Sequence, residues 1–449
     1  MWTKIEIVND NKKTIYFPQA FQVFTDNINI HFGNKKVSAR ISNYNNYEPQ
    51  TGFTRKKPLK IKITSELQNK LLIPSSLPYQ IVLKKNELYI GPVIAFLLGN
   101  YRYNPEYMKK YNKKLKLYNY IGGLIYAFIP DTVDFEKNHI TGLYYNYKTS
   151  KWKSEHLPFP SFIYRRNFST DPQIINKLEK ITSNNVYNSH RFSKIEQYKY
   201  LSENNYFKKY IPVTRKINNL NQVKKFVKSH PESILKPVNS SRGRGIYIIK
   251  KVNKNKFKFI SHFNNKPLEL DQKKFKNSLK RIITSGNYLI QEYLHLAEIG
   301  NSIFDFRVVM QKIKSGKWIC SGIEVRKAGK TQNLTNISKG GKALTFSETL
   351  FKLFYFRKTC LNIKDKILNI SYKFCNIMDK TGENFFEFGI DIALDKNNKL
   401  WFLEANTLPS FKGFKAINKN TYQFINNNTL RYAVTKTNFD IDSKFNFLI

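Results

Sequence analysis

Three oxygen-bearing side chains near the C-terminal end of the chain are spaced for metal chemistry. Phe388-Gly-Ile-Asp391 is followed by Leu400-Trp-Phe-Leu-Glu404-Ala-Asn406. On two strands of a hairpin, Glu404 and Asn406 sit at i and i+2 and so share a side. With Asp391 on the neighbouring strand they would suit one or two Mg²⁺ ions, which take carboxylate oxygen and keep waters and phosphate oxygens. The polar outer face of an ordinary hairpin would read the same way. A second segment, Ile234-Leu-Lys236-Pro-Val-Asn-Ser-Ser241-Arg-Gly243-Arg-Gly245-Ile, ends an apolar strand on a lysine and runs into a Gly-x-Gly loop. The amides of such a loop approach phosphate oxygens closely because glycine has no side chain in the way. Lys236 would add a point charge. The spacing is neither that of a Walker loop nor of a Rossmann fingerprint, and no helix comes after it. A plain hairpin turn accounts for it equally well.

A third segment, Leu289-Ile-Gln291-Glu292-Tyr-Leu294-His-Leu-Ala-Glu298, is a buried strand entering a polar connection. A hinge between two lobes presents backbone groups to an adenine edge in this form, and Glu298 would take the ribose hydroxyls. A strand end with no ligand is the alternative. The fourth, Phe304-Asp305-Phe306-Arg307, precedes Glu324-Val-Arg326. Asp305 and Arg307 alternate onto one face, with Arg326 arriving from the next strand. Buried arginines must be paired, so structural ion pairing competes with an anion clamp for a γ-phosphate or an acyl phosphate. Asn333, Asn336 and Gly340-Gly341 make a polar glycine loop suited to closing over a substrate.

The elements that must carry these groups fall into three textures. Residues 1–84 alternate with period two, as in Ile5-Glu-Ile-Val and Lys60-Ile-Lys-Ile, and predict a small N-terminal β domain. Residues 85–187 alternate strand-like apolar runs with helical stretches, predicting an α/β domain. Its first run, Ile90–Gly99, reads as a strand buried on both faces. A third region, 188–430, opens with a helix at Ser193–Ser202. It contains a basic amphipathic helix at Asp271–Ser285 and a helix near Ile363–Met378 with Ile363, Ile367, Ile370, Phe374 and Ile377 on one face. A tail, 431–449, closes the chain.

Composition narrows the classes further. The 449 residues carry 76 Lys+Arg against 32 Asp+Glu, a formal charge of +44, with 41% apolar residues. That apolar content excludes wholesale disorder. No run approaches the roughly 20 apolar residues of a membrane span, and the first residues predict no secretory leader. Cys320, Cys360 and Cys375, odd in number and without CxxC spacing, make neither a disulfide framework nor a zinc site. The charge suits a polyanionic partner such as nucleic acid or an acidic polypeptide. AT-rich coding, which favours Lys, Asn and Ile, would produce it without any ligand. No zinc-finger, RNP-like or helix-turn-helix signature supports nucleic acid beyond the charge itself.

The order of the pieces is more specific than any one of them. Lys194, Lys236 with Gly-x-Gly, Gln291–Glu298, Asp305-x-Arg307, Arg326, Asn336 with Gly-Gly, Asp391 and Glu404-x-Asn406 succeed one another as in an ATP-grasp active site. Gly91-Pro-Val-Ile, His190-Arg-Phe-Ser-Lys194, Pro212-Val-Thr214 and Gly389-Ile-Asp391 bring the chain closer still to the YheC/YheD endospore coat-associated family, which it resembles from about 85 to 415. The resemblance implies an α+β ATP-grasp fold, two lobes clasping ATP, preceded by an α/β pre-ATP-grasp domain. It implies Lys194 and Lys236 on the α- and β-phosphates, and Ser241, Gly243 and Gly245 over the triphosphate. Gln291 and Leu294 would meet adenine and Glu298 the ribose. Arg307, Arg326 and Asn336 would lie at the transferred group, with Asp391, Glu404 and Asn406 on Mg²⁺. The implied activity is carboxylate–amine ligation through an acyl phosphate, with ATP and Mg²⁺, on a carboxylate and an amine that the residues do not name. A coat-assembly protein that holds nucleotide without turnover is the other reading. Arg242 and Arg244 in the loop, and Ser193-Lys194 where many relatives have Asp-Lys, depart from the pattern without removing a group the chemistry needs. An acidic peptide or coat protein would fit the basic loops, and mother-cell cytoplasm or the coat surface would be the location.

Overall fold

The computed structural model describes residues 1–19, 21, 25–45, 53–238, 245–261, 267–284, 286–329 and 340–439. Ser241, Gly243, Asn333 and Asn336 lie outside the described residues, as do the two loop arginines. The period-two segments at the N-terminus form strands Trp2–Val8, Thr14–Pro18, Asn27–Phe32, Lys35–Tyr44, Leu59–Thr64, Tyr79–Lys84 and Glu87–Gly91, which close into a barrel. Ile5, Phe17, Ile30, Phe32, Ile61 and Ile63 fill its interior, and closure removes the unpaired edges that an open sheet would expose.

The barrel reaches past the expected boundary at 84, because the apolar run Ile90–Gly99 is two strands rather than one. Glu87–Gly91 completes the barrel, and Val93–Leu97 begins the next sheet. Pro92 stands between them and has no amide to continue either ladder. Val93–Leu97 pairs in parallel with Leu124–Phe128 on one side and Phe162–Arg165 on the other. Every residue of Val93–Leu97 and Leu124–Phe128 is buried, as strands covered on both faces require. The helical stretches expected in this region are short where they lie between the first two of its strands: Pro105–Met108, Lys109–Lys114 and Tyr118–Ile121.

Two further sheets make the rest. The first runs Thr214–Ile217, Tyr288–Glu292, Glu232–Pro237, Tyr247–Lys251, Lys256–Ser261, Pro267–Asp271 in spatial order. Helices Leu220–Ser229 and Gln272–Thr284 give it a core of Val223, Phe226, Leu235, Ile249, Phe275 and Leu279. The second runs Lys342–Thr345, Trp318–Lys327, Phe304–Lys312, Glu387–Leu394, Leu400–Asn406, antiparallel throughout. Helix Arg357–Asp379 covers one of its faces, burying Ile363, Ile367, Ile370 and Phe374 against Phe306, Val308, Ile390 and Ile392. The opposite face carries the polar residues. Ile377 is only partly buried at the rim of that core.

The expected boundary at 430 falls inside a helix, Lys419–Thr435. Leu430, Tyr432, Ala433 and Val434 pack with Phe96, Tyr164 and Phe386, joining the mixed sheet around Val93–Leu97 (the parallel sheet below) to the five-stranded sheet and its helices (the large lobe). Phe439 ends the described chain against Gly91, where a β-carbon would meet its ring at 2.7 Å.

Candidate functional site

Helix Lys194–Ser202 starts at Ser193, whose hydroxyl caps the Glu196 amide while Glu196 reaches back to the Ser193 amide. This capping box fixes Lys194 in the first turn. One turn on, Gln197 is buried and clamps strand Leu400–Asn406 at Ala405 with both ends of its amide, donating to the carbonyl at 2.9 Å and accepting from the amide at 2.8 Å. Glu404 and Asn406 flank that clamp. Lys194 Nζ lies 3.8 Å from Glu404 Oε2, and Asn406 Nδ2 donates to Glu404 Oε1 at 3.2 Å. Sequence reasoning missed Gln197; its one signal was a lone buried amide on the helix face that also carries Lys194.

Glu404 faces this way because of a β-bulge. Ile392 pairs with Phe402, but Asp391 pairs with Glu404, which leaves Leu403 as an extra residue. Strict alternation would put Phe402 and Glu404 on the same side. The bulge instead sends Phe402 into the core against Phe207 and Phe374 and turns Glu404 to the polar face.

Lys236, one residue before the end of strand Glu232–Pro237, approaches the same group. Its Nζ donates to Gln291 Oε1 at 2.6 Å, and Gln291 Nε2 donates to Thr214 Oγ1 at 2.8 Å. Burial pulls the Lys236 ammonium down to about 8, with Glu404 opposing and Lys194 adding to the fall. Gln291 is therefore occupied at both ends and aims Lys236. Leu294 is half-buried there, and Glu298 is exposed, 3.5 Å from Lys396. Gly245, at the far end of the glycine loop, has φ +72 and abuts Tyr288.

Asp305, Arg307 and Arg326 share a face deeper on the sheet, as the Asp305-x-Arg307 spacing predicts, and Asp391 joins them from the neighbouring strand. Arg307 grips Asp391 through Nε and through Nη2 at 2.9 Å. Arg326 grips Asp305 through Nε at 2.7 Å and Nη2 at 2.6 Å, and its Nη2 also lies 2.9 Å from Asp391. Burial alone would raise the Asp391 pKa; Arg307 and Arg326 hold it below its ordinary value. Glu324 completes the row opposite Arg307. Burial pushes it up to about 7, and its Oε2 has no hydrogen-bond partner.

The donor set can be weighed against Mg²⁺. Glu404 and Asn406 are half-buried, adjacent and oxygen-bearing, which suits an ion that shares its shell with phosphate and water. Asp391 differs: both its oxygens are engaged by arginines. Among the described residues no three His, Cys, Asp or Glu side chains stand close enough to form a protein cage for a metal. A metal carried in with phosphate ligands fits the residues present; a cage made by protein alone does not.

Residues 183–435 match the YheC/D-like ATP-grasp family. The chain is 26% identical over 300 residues to endospore coat-associated protein YheC of Bacillus subtilis (strain 168), covering 64% of this chain and 80% of that protein. It is 22% identical over 423 residues to endospore coat-associated protein YheD of the same organism, covering 90% and 89%. It is also 27% identical over 195 residues to tubulin polyglutamylase TTLL5 of Homo sapiens, covering 39% of this chain and 15% of that protein. The chain belongs to the YheC/D-like ATP-grasp family, and its six-stranded and five-stranded sheets are the two lobes of that fold.

Proposed function

We propose that the chain is an ATP-dependent carboxylate–amine ligase. What supports this most is the convergence of Lys194, Lys236, Glu404 and Asn406, with Arg307 and Arg326 next along the same sheet face. In such a reaction a carboxylate oxygen attacks the γ-phosphorus and the bond to the β-phosphate oxygen breaks, giving acyl phosphate and ADP. An amine then attacks the acyl carbon, phosphate leaves, and the surplus amine proton passes to solvent.

This chain's own residues supply charge and position. Lys194 and Lys236 hold the α- and β-phosphates, with Gln291 and Thr214 fixing the aim of Lys236. The connection at Leu294 reads the adenine edge, and Glu298 takes the ribose. Ser241, Gly243 and Gly245 cover the triphosphate, and Asn336 lies at the transferred group. Arg307 and Arg326 offset the charge that develops on the phosphoryl oxygens, in a site dry enough for it to count. Glu404 and Asn406 would hold Mg²⁺, with Asp391 joining them on releasing one arginine contact. Mg²⁺ supplies charge neutralisation at the phosphate oxygens when bound. The names of the two Bacillus relatives support a place at the endospore coat or in the mother-cell cytoplasm that builds it. Among the described residues no helix is long and apolar enough to cross a membrane.

One observation favours a second reading, in which the protein holds nucleotide for coat assembly without turnover: both oxygens of Asp391 are already taken. ADP release from Mg-ATP, screened over amino acids and acidic peptides, separates the two. Turnover that falls at least 100-fold in Glu404→Gln is the expected result. Stabilisation by Mg-ATP with no ADP release in any mixture would leave only the second reading.

A further inference from the structure

A cavity of about 1100 Å³ lies between the parallel sheet and the large lobe. Lys194, Glu404 and Asn406 line one end, so it opens directly onto the candidate nucleotide site. The far wall belongs to the parallel-sheet unit and includes Asn100, Tyr101, Arg102, Arg166 and Thr170. Nothing in the nucleotide-binding role uses this wall.

Two polar atoms on this wall are left without hydrogen-bond partners, Arg102 Nε and Thr170 Oγ1. The Arg102 guanidinium lies 4.9 Å over the ring of exposed Tyr101, and its Nε has no hydrogen-bond partner. Arg166 donates to Tyr164 Oη at 2.9 Å and stands 3.6 Å from Glu387. Behind them Lys114, only 4% exposed, donates to Thr429. Arg166 and Lys114 thus share one buried carboxylate, Glu387, while Arg102 stands on the cavity wall with its Nε unpartnered. Thr170, 6% exposed, adds a hydroxyl without a partner. The carboxylates elsewhere around the cavity are engaged. Asp131 accepts from Asn100 Nδ2 at 3.0 Å, Asp171 caps the helix at Gln173, and Glu196 belongs to the capping box. What the wall leaves open are the donors of Arg102 Nε and the Thr170 hydroxyl.

A carboxylate would satisfy both groups, and the space sets the size of what carries it. Pockets of ~300–1000 Å³ hold drug-sized ligands, so this cavity has room for a stretch of chain rather than one small acid. We propose that the cavity seats the end of an acidic peptide, with a side-chain or terminal carboxylate held by Arg102 in front of Arg166. A fork of N–H donors on a half-buried guanidinium recognises carboxylate in two-point fashion. The chemical fate of the bound peptide rests on the ligase reading, but binding itself needs no nucleotide.

The test is calorimetric titration of the full chain at 150 mM salt with tetra-L-glutamate, with tetra-L-glutamine, and separately with Mg-ADP. Tetra-glutamate should bind at least tenfold more tightly than tetra-glutamine. Arg102→Gln should weaken tetra-glutamate at least tenfold while keeping Mg-ADP affinity within twofold, which also reports an intact fold. If Arg102→Gln does not fold, Tyr101→Asp puts an opposing charge at the same wall from an exposed position and should give the same loss. The control is Arg55→Gln with Lys56→Gln, distant charges whose removal should cost less than twofold. Equal affinity for the two peptides, or equal losses from the Arg102 variant and the distant control, overturns the proposal. Absence of Mg-ADP binding with the peptide results as expected would sink the ligase reading and leave the cavity assignment standing.

Discussion

Lys236 keeps its charge in a place that works against it. Burial draws its pKa down to about 8, and Gln291 holds the ammonium by its one amide oxygen. The ammonium is protonated below that value, so in the proposed phosphate role its attraction would be nearly complete near pH 7 and fade as pH rises through 8. Without that group in the charged form the phosphates lose a partner they cannot replace from water inside a dry cleft. Mg-ADP affinity should therefore fall roughly tenfold between pH 7 and 9, measured by titration calorimetry. Lys236→Met should bind weakly at both values and show a flat profile. An unchanged slope in Lys236→Met would assign the dependence to another group. The residue type was legible as a lysine ending an apolar strand. Its pKa was not, because burial and the approach of Glu404 and Lys194 come from other elements.

At the scale of elements, strand Glu387–Leu394 serves the site as much by what it omits as by what it carries. Gly389 lies under Arg307; a β-carbon there would come 2.5 Å from Pro409 Cβ and 3.2 Å from Arg307 Cδ. Contacts that short force one neighbour away, and the ring of Pro409 fixes its own φ. Gly389→Ala should displace Arg307 from Asp391. Expected are a loss of about 1–3 kcal/mol in urea unfolding and a fall of at least tenfold in ADP release, with Mg-ADP affinity nearly unchanged because Lys194 and Lys236 lie elsewhere. Wild-type turnover in this variant would remove Arg307 from the phosphoryl-transfer role. The same pairing logic was readable in part: Asp305-x-Arg307 announces a shared face, and Asp305 does engage the next strand's arginine. The identity of Arg307's own partner, Asp391, needed the register between strands far apart in sequence.

The molecule as a whole is held together by its last described helix, Lys419–Thr435. Besides its apolar face, it supplies the carbonyl of Ile425 to Gln311, Thr429 to Lys114, and Asn428 to the carbonyl of Lys312. Gln311 in turn bonds Glu387, which also accepts from Tyr164 of the parallel sheet. Removing the helix would strip apolar cover from Tyr164 and Phe386 and leave buried polar groups unpaired, each costing about 1–3 kcal/mol. A chain ending at Asn418 should fail to accumulate as soluble protein, or should show no cooperative thermal transition. A folded, cooperative truncated protein would show that the two sheets dock without it. The sequence reading began a tail at 431, inside this helix, since Lys419-Asn-Thr-Tyr-Gln-Phe is too polar for its apolar stripe to stand out and mark a helix running on to Thr435.

Local pattern decided a good deal. Side chains at Ile363, Ile367, Ile370 and Phe374 recur at helical spacing, and the helix buries all four. Asp395-Lys-Asn-Asn turns the hairpin, with Asp395 Oδ1 accepting the amides of Asn397 and Lys399. The ordered series of lysine, glycine loop, arginines and acidic strand end carried the family, because each piece is a short segment with its own chemistry. What no segment contains is the meeting of segments. The break at Pro92 comes from a barrel that closes on Glu87–Gly91. The bulge at Leu403 comes from the competing claims of a phenylalanine core and a polar face. The clamp on Asp391 and the arginine-walled cavity are made by strands and loops separated by long stretches of chain. Tertiary packing decided these, because register, burial and charge balance are properties of neighbours in space and a sequence orders its neighbours only along the chain.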